Sequence, residues 1–236
     1  MSIALQVALV MVTILVVLLV IGAPIGVAIG MSSAVSMICM IPADVSFATS
    51  AQRIFAGSNS FSLIAIPFFI LAGNIMNNGG IATRLVNCAK VISGRMPGAL
   101  AQSNVVANML FGAISGSGAA AAAAMGGTIG PLEEKEGYDK NYSTAVNVAS
   151  APVGMLIPPS NTMIVYSSVA GSVSIAALFM AGYIPGLLWG GAVMILAGIM
   201  AKKRGYQAEQ RVPVKVALKT FWQAIPSLLL IVIVIG

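Results

Sequence analysis

Charge is absent from three long stretches of this chain. No Asp, Glu, Lys or Arg occurs from Met1 to Ala43, from Met96 to Leu132, or from Asn141 to Ala201. Each stretch is long enough to cross a hydrocarbon core of about 30 Å, which takes about 20 helical residues. The 236 residues are 58% hydrophobic and 8% charged, a balance foreign to a soluble domain. Backbone amides and carbonyls in lipid must be satisfied internally, so helices and closed barrels are the available spanning structures. Barrel strands alternate in hydrophobicity over about ten residues, whereas these runs are apolar throughout. The expected fold class is an all-α integral membrane protein embedded in a lipid bilayer.

Several chemistries drop out at once. The chain has no histidine, so neither a Ser–His triad nor a histidine zinc site can form within it. Cys39 and Cys88 lie in or beside apolar segments without metal-ligand spacing and read as packing residues. "GSGAAA" at 116 to 121 resembles a dinucleotide fingerprint, but no strand precedes it and no βαβ pattern surrounds it. The net charge of +6 does not point to nucleic acid, because the basic residues sit in short segments between spans, where they set orientation.

Breakers and charges divide the chain. Residues 1 to 80 read as scaffold transmembrane helices: Ile3 to Ile21, a turn or kink at "GAPIG" (22 to 26), Ile25 to Ile41, a linker with Pro42, Asp44 and Arg53, then Phe61 to Met76, ended by "NNGG" at 77 to 80. The first segment has no preceding Lys or Arg and exceeds the length of a signal core, so a retained helix is expected. Residues 81 to 97, with Arg84, Lys90 and Arg95 near helical intervals, read as an interfacial helix. Residues 172 to 201 return across the membrane, 202 to 220 form a basic amphipathic connector, and 221 to 236 begin a further apolar segment. That last run is short for a span, so the chain reads as part of a longer protein or as a split subunit.

Residues 98 to 171 carry the unusual features. The 34 uncharged residues from Gly98 to Pro131 would make one helix of about 51 Å, too long for a single crossing. The polar, glycine-rich interruption at "ISGSGA" (114 to 119) splits them into two arms of about 16 residues and about 24 Å each. This reads either as a re-entrant helical hairpin or as two short spans joined by an external loop. Further on, Pro158 and Pro159 remove two amide donors and push the residues before them out of the α region, so a helix breaks there. Ser160, Asn161 or Thr162 can cap a new half-helix running to about Ala170.

Orientation follows from Lys and Arg in short connections. Arg84, Lys90 and Arg95, the 133 to 140 loop, and Lys202 to Lys219 fall on one side, which is cytoplasmic; the N-terminus and 42 to 60 fall outside. Tyr138, Tyr142, Tyr206 and Trp222 flank the segments where interfacial aromatics belong.

An interrupted helix exposes carbonyls where its first half ends and amides where its second half starts. The carbonyl end near Met155 to Ile157 suits a hard cation, and the amide end near Asn161 and Thr162 suits a carboxylate. Proton relays usually show an intramembrane carboxylate or histidine, and these runs contain none. A proline kink with serines satisfying stray backbone groups is the plain structural alternative. Two other function classes stand beside a carrier: a channel or passive pore, which would not saturate, and a non-transporting membrane scaffold subunit, in which the polar breaks are tolerated kinks.

The strings "AIPFFILAGNIMNNGGIATRLVN" (65 to 87), "NMLFGAISGSGAAAAAAMGG" (108 to 127) and "ASAPVGMLIPPSNTMIVYSSVAG" (149 to 171) resemble the large membrane (M) subunit of tripartite ATP-independent periplasmic (TRAP) transporters, N-terminal repeat. The resemblance implies an inverted-repeat, elevator-type symporter of the ion transporter superfamily kind, multi-pass in the bacterial inner (cytoplasmic) membrane and not an enzyme. It implies a re-entrant hairpin and broken helix forming a sodium (Na+) site beside the substrate. By position the sodium role falls on Ser115, Gly116, Ser117, Gly118, Pro158 and Ser160, and the substrate role on Pro159, Asn161 and Thr162. The implied partners are a small membrane (Q) subunit and a periplasmic solute-binding (P) protein. The implied cargo is an organic acid such as sialic acid or a C4-dicarboxylate, carried by sodium-coupled secondary import.

Overall fold

The computed structural model describes residues 3–59, 63–64, 66–68, 71, 75, 79–208 and 213–235. Among the described residues every regular element is a helix, as the hydropathy requires. The chain divides into two compact units, residues 1–61 and 62–236.

The first unit holds α1 (Ile3–Val20), α2 (Ile25–Ile38) and α3 (Ala43–Ser58). Gly22, in the left-handed region at φ +87, turns the chain after α1. Pro24, extended at ψ 138, opens α2. α1 buries no residue, and Val12, Val16 and Val20 are 51%, 52% and 82% exposed, the surface of a helix dissolved in lipid. On α2 the buried face is a stripe of small residues four apart, Ala28, Ser32 and Ser36. Such a stripe lets a neighbouring backbone come close. α3 packs there, with Ser46 Oγ donating to Ala34 O at 2.9 Å.

The expected linker after Pro42 is therefore a helix. Its mixed composition hides it from a hydropathy reading, but Pro42 sits at the N-cap and Asp44 in the first turn, both favourable at a helix start. The expected third span, Phe61 to Met76, and Asn77 and Asn78 of "NNGG" lie largely outside the described residues. Those described there, 63–64, 66–68, 71 and 75, are helical, and Gly79 and Gly80 form a turn.

The second unit continues with α4 (Ile81–Ser93), α5 (Ala99–Ser115), α6 (Gly118–Thr128), α7 (Gly130–Lys135), α8 (Lys140–Ser150), α9 (Val153–Leu156), α10 (Asn161–Ala170), α11 (Ile175–Arg204) and α12 (Val214–Ile235). α4 is amphipathic. Its Ala82, Leu85, Val86 and Ala89 are buried against α5, while Arg84 is exposed. α5 is the axis of the unit: fifteen of its 17 residues are buried, enclosed by α4, α6, α8, α9, α11 and α12. Leu100, Val105, Phe111 and Ile114 of α5 form one cluster with Leu85, Met125, Ile129 and Val146.

Glycine sets how near the neighbours come. A Cβ on Gly112 of α5 would lie 2.2 Å from Gly154 Cα of α9, so the two backbones touch. On α11, Gly182, Gly186 and Gly190, four apart, face Leu156 O, Ile157 Cγ1 and Met109 Sδ; a Cβ would come within 2.3, 2.7 and 2.7 Å of them. This is the small-residue packing that membrane helices use in place of a hydrophobic drive.

Two boundaries differ from expectation. α11 runs through Lys202, Lys203 and Arg204, its last turn, where cations complement the helix dipole; Gly205, left-handed at φ +78, ends it. The connector does not stop at 220, because α12 starts at Val214 and continues past Phe221 to Ile235. By length and composition α1 and α11 can each cross a membrane. Among the described residues the pair Lys140–Leu156 and Asn161–Ala170, bent by 50°, is also apolar and long enough, as a broken span or a re-entrant loop.

The Gly112–Gly154 contact yields a paired expectation. Gly112→Ala forces backbone apart and should lower unfolding free energy by about 1–3 kcal/mol. Gly127→Ala, whose Cβ meets nothing within 4 Å, should be neutral or gain up to about 1 kcal/mol from helix propensity. Thermal unfolding of the purified protein in detergent distinguishes the two.

Candidate functional site

The first interruption is confined to two residues. α5 ends at Ser115, Gly116 takes the left-handed conformation at φ +61, and Ser117, extended at φ −135, is the N-cap of α6. Only glycine occupies that left-handed position at no steric cost. Ser117 Oγ accepts from Ala120 N–H at 3.3 Å, and Ser115 Oγ accepts from Ser117 N–H at 3.4 Å. α5 and α6 pack on each other as a hairpin. The tip is enclosed by the protein itself: Ser115, Gly116 and Gly118 are buried.

The second interruption follows from the prolines. Pro158 and Pro159 cannot donate to the carbonyls of Gly154 and Met155, so the helix stops at Leu156 and Ile157 turns extended at ψ 122. Ser160, extended at ψ 122, restarts it. Its hydroxyl accepts from Met163 N–H at 3.4 Å and donates back to Met155 O, so one side chain satisfies both ends of the break. The helical stretch before the prolines is itself interrupted. α8 ends at Ser150, and Pro152 begins the single turn of α9.

The two interruptions meet. Asn161 N–H donates to Gly116 O at 3.3 Å, and Asn161 Nδ2 donates to Ser115 O at 3.4 Å. A Cβ on Gly116 would lie 3.0 Å from Asn161 N and 3.1 Å from Pro159 O. One on Gly118 would lie 3.0 Å from Ala151 O. Of the nine sequence-predicted residues, Ser115 and Gly116 of the tip meet Pro159 and Asn161 of the break; Ser117 and Gly118 continue the tip, Gly118 against Ala151, and Pro158 and Ser160 continue the break. Thr162 does not join them. It is exposed and lines an apolar cavity of about 320 Å³ with Met155, Leu156, Tyr166 and Trp189.

The chemistry of this junction is neutral oxygen. Asn161 Oδ1 is buried and has no hydrogen-bond partner, while its amide nitrogen is held by the tip. Two groups that the sequence offered to ligands are spent inside the protein, Met155 O on Ser160 and Asn161 N–H on Gly116. An acceptor without a donor, beside hydroxyls and carbonyls and with no acid in Ser115–Gly118 or Ala151–Thr162, fits a small hard cation.

Sequence reading missed a second polar region. Asn108 Nδ2 donates to Asn104 Oδ1 at 2.8 Å, Ser150 Oγ at 2.8 Å and Asn147 Oδ1 at 3.0 Å. Glu133, expected in a cytoplasmic loop, is buried on α7. The signal was present in α5, whose Gln102, Asn104 and Asn108 are polar residues in a charge-free run. Nearby, Tyr138 stacks on Tyr206 at 4.2 Å, and Arg204 pairs with Asp139 at 3.1 Å. The Tyr142 N–H bond to its carboxylate, helped by Arg204, holds Asp139 below the usual carboxylate range. The aromatics expected at an interface thus fasten the 138–142 turn to the end of α11.

The profile described as "Tripartite ATP-independent periplasmic transporter, DctM component" matches residues 12–236. The chain is 53% identical over 205 residues to the uncharacterized protein YgiK of Salmonella typhimurium, covering 87% of this chain and 47% of YgiK. It is 43% identical over 190 residues to the isethionate TRAP transporter permease protein DctMQ of Oleidesulfovibrio alaskensis, covering 79% and 29%. It is 39% identical over 191 residues to the sialic acid TRAP transporter large permease protein SiaM of Vibrio cholerae, covering 79% and 44%. The chain thus spans less than half the length of these curated relatives.

The tip makes a separable expectation. Gly116→Ala adds left-handed strain of about 1–2 kcal/mol and pushes on Asn161 and Pro159. Gly80→Ala, equally left-handed at φ +73 with nothing within 4 Å, carries the strain alone. Gly116→Ala should therefore lower the thermal midpoint further than Gly80→Ala; equal losses would show that the tip does not bear on the break.

Proposed function

Because the chain belongs to the DctM component family of tripartite ATP-independent periplasmic transporters, we propose that it carries sodium-coupled secondary import of an organic acid across the bacterial inner membrane. Its partners in this reading are a small membrane subunit and a periplasmic solute-binding protein that delivers the acid. The relatives are named for isethionate and sialic acid, and both solutes carry an acid group; a C4-dicarboxylate is of the same class.

The observation that carries the reading is Asn161 Oδ1, buried without a donor where two interrupted helices touch. In this reading sodium sits against Asn161 Oδ1, Ser115 and the backbone of Gly116, Ser117 and Gly118, with Pro158 and Ser160 shaping the carbonyl end. Asn161 moves from the substrate set to the cation set, since its free atom is an acceptor. The acid group is drawn to the positive start of α10, near Pro159 and Thr162. Residues 98 to 171 move as a block against the remaining helices, and each sodium entering down the potential contributes about 2.3 kcal/mol per 100 mV.

The full-length protein, reconstituted into liposomes with its small subunit and loaded binding protein, tests this. Uptake should require sodium, saturate, and collapse when potassium replaces sodium; uptake indifferent to that exchange sinks the coupling. Asn161→Ala and Ser115→Ala should raise the half-saturating sodium concentration by about tenfold, the effect of losing about 1.4 kcal/mol of ligation. A sodium titration unchanged in both variants refutes the site.

A further inference from the structure

A cavity of about 430 Å³ opens between α5, α6, α7 and α8, bordered by Asn104, Gly126, Glu133, Tyr138, Lys140 and Ser143. It is separate from the interrupted-helix junction: none of residues 115–118 or 158–162 lines it. Glu133 and Asn104 are each 1% exposed and Ser143 is 9% exposed. Glu133 Oε1, Asn104 Nδ2 and Ser143 Oγ are all buried and none closes a hydrogen bond of full geometry, although Asn104 and Ser143 stand near enough to the carboxyl to favour its ionised form. No ion pair among the described residues reaches Glu133.

A buried carboxylate with no cation is costly, and such a group takes up a proton instead. Burial pushes the Glu133 pKa up to about 7, against the pull of Ser143 and Asn104, which favour the ionised form. Charged, titratable and neutral groups surround it, Lys135 at the end of its own helix among them. Glu134 shares its helix, Tyr138 and Lys140 line the cavity, Tyr142 of α8 feels its charge, and α5 and α6 contribute the neutral Asn104 and Gly126. The space is ample for water, which needs about 30 Å³ per molecule, so protons have a path.

Behind the carboxyl stands the asparagine ladder. Asn108 Nδ2 has two protons for three acceptors, Asn104 Oδ1, Asn147 Oδ1 and Ser150 Oγ, so one acceptor is always short. An ionised Glu133 draws the Asn104 amide and the Ser143 hydroxyl onto itself; a protonated one releases them. Ser150 ends α8, directly before the turn of α9 and the break. We propose that Glu133 is a proton-binding site served by this cavity, and that its occupancy selects the hydrogen bonding of the Asn104–Asn108–Asn147–Ser150 ladder leading to the helix break. Nothing in this depends on sodium coupling.

The full-length protein purified in detergent, followed by infrared difference spectroscopy against pH, tests the site without any transport assay. A protonated-carboxyl band absent from Glu133→Gln should titrate with a midpoint near 7. In Ser143→Ala the midpoint should rise, since a hydroxyl that favours the ionised form is gone. A band that titrates in the ordinary glutamate range, or a midpoint unmoved in Ser143→Ala, overturns the proposal; the Ser143 comparison holds even if Glu133→Gln does not fold. Stability gives an independent reading. A carboxyl whose folded pKa lies above its unfolded value favours the fold at low pH, and that contribution is lost as pH rises from about 4.5 through about 7. The wild-type melting temperature should therefore fall relative to Glu133→Gln across this window; a constant difference counts against it. Trp189 Nε1 donates to Ala149 O at 2.9 Å, beside the end of the ladder. Its emission, isolated by subtracting Trp189→Phe, should follow the infrared midpoint, and emission flat across the window overturns the relay.

Discussion

Two stretches of non-helical backbone meet inside the second unit, and each supplies what the other lacks. The hairpin tip ends α5 with carbonyls that have no helical donor; the restart of α10 presents amides that have no helical acceptor. Asn161 closes both accounts, its N–H on Gly116 O and its side-chain amide on Ser115 O. In surroundings this apolar an unsatisfied peptide group costs several kcal/mol, so the contact between the breaks adds to the caps that Ser117 and Ser160 supply within each. The pairing also leaves a residue: with its nitrogen engaged on the tip, Asn161 turns its oxygen into a protein-lined space without a donor. The candidate site is what remains once the two breaks have satisfied each other.

That meeting depends on how closely helices approach elsewhere. Gly112 and Gly154 bring the backbones of α5 and α9 into contact, which places Leu156, Ile157 and the prolines at the level of the tip. Gly182 and Gly186 admit the carbonyl of Leu156 and the side chain of Ile157 against α11. Dispersion contacts between small residues do the work that water-driven burial does in a soluble protein. α5 can be polar at Gln102, Asn104 and Asn108 for a related reason. Enclosed on nearly every side, it finds partners on other helices: Gln102 Nε2 donates to Met194 O at 2.8 Å, and Asn108 serves α8.

Much of this was legible in the residues, because the strongest local signals are chemical. Consecutive prolines must break a helix, and the structure breaks it between Leu156 and Asn161. A glycine flanked by serines in a charge-free run must turn, and it turns at Gly116. What escaped was long-range. Hydropathy alone gives no sign that 43–58 is a helix, since an amphipathic helix has no apolar run. The burial of Glu133 depends on α5 and α8 closing over it, and a glutamate in "EEKEGYDK" looks like any loop acid. Thr162 adjoins the break in sequence, but helical geometry turns position 162 away from 160 and 161 and toward Met155 and Trp189. The partners of Asn161 lie 45 and 46 residues away in the chain, beyond the reach of any local rule.

The placement of charge bears on how a sodium-driven carrier would work. On the proposed reading the cation is held by neutral oxygens alone, so loading it adds a full positive charge to the moving block. The membrane potential acts on that charge, at about 2.3 kcal/mol per 100 mV. Had the site been built around an aspartate, ion and ligand would cancel and the loaded block would feel little of the field. The acid the chain does bury, Glu133, sits instead past the end of the charge-free run, beside a roomy cavity rimmed by Lys140 and Glu134. There it can exchange a proton with water at modest cost, and a change in its charge is felt through hydrogen bonds more than through the field across the membrane. On the proposed reading two polar demands are thus kept apart: a fixed, uncharged grip at the crossing of the interrupted helices, and a titratable group beside the cavity.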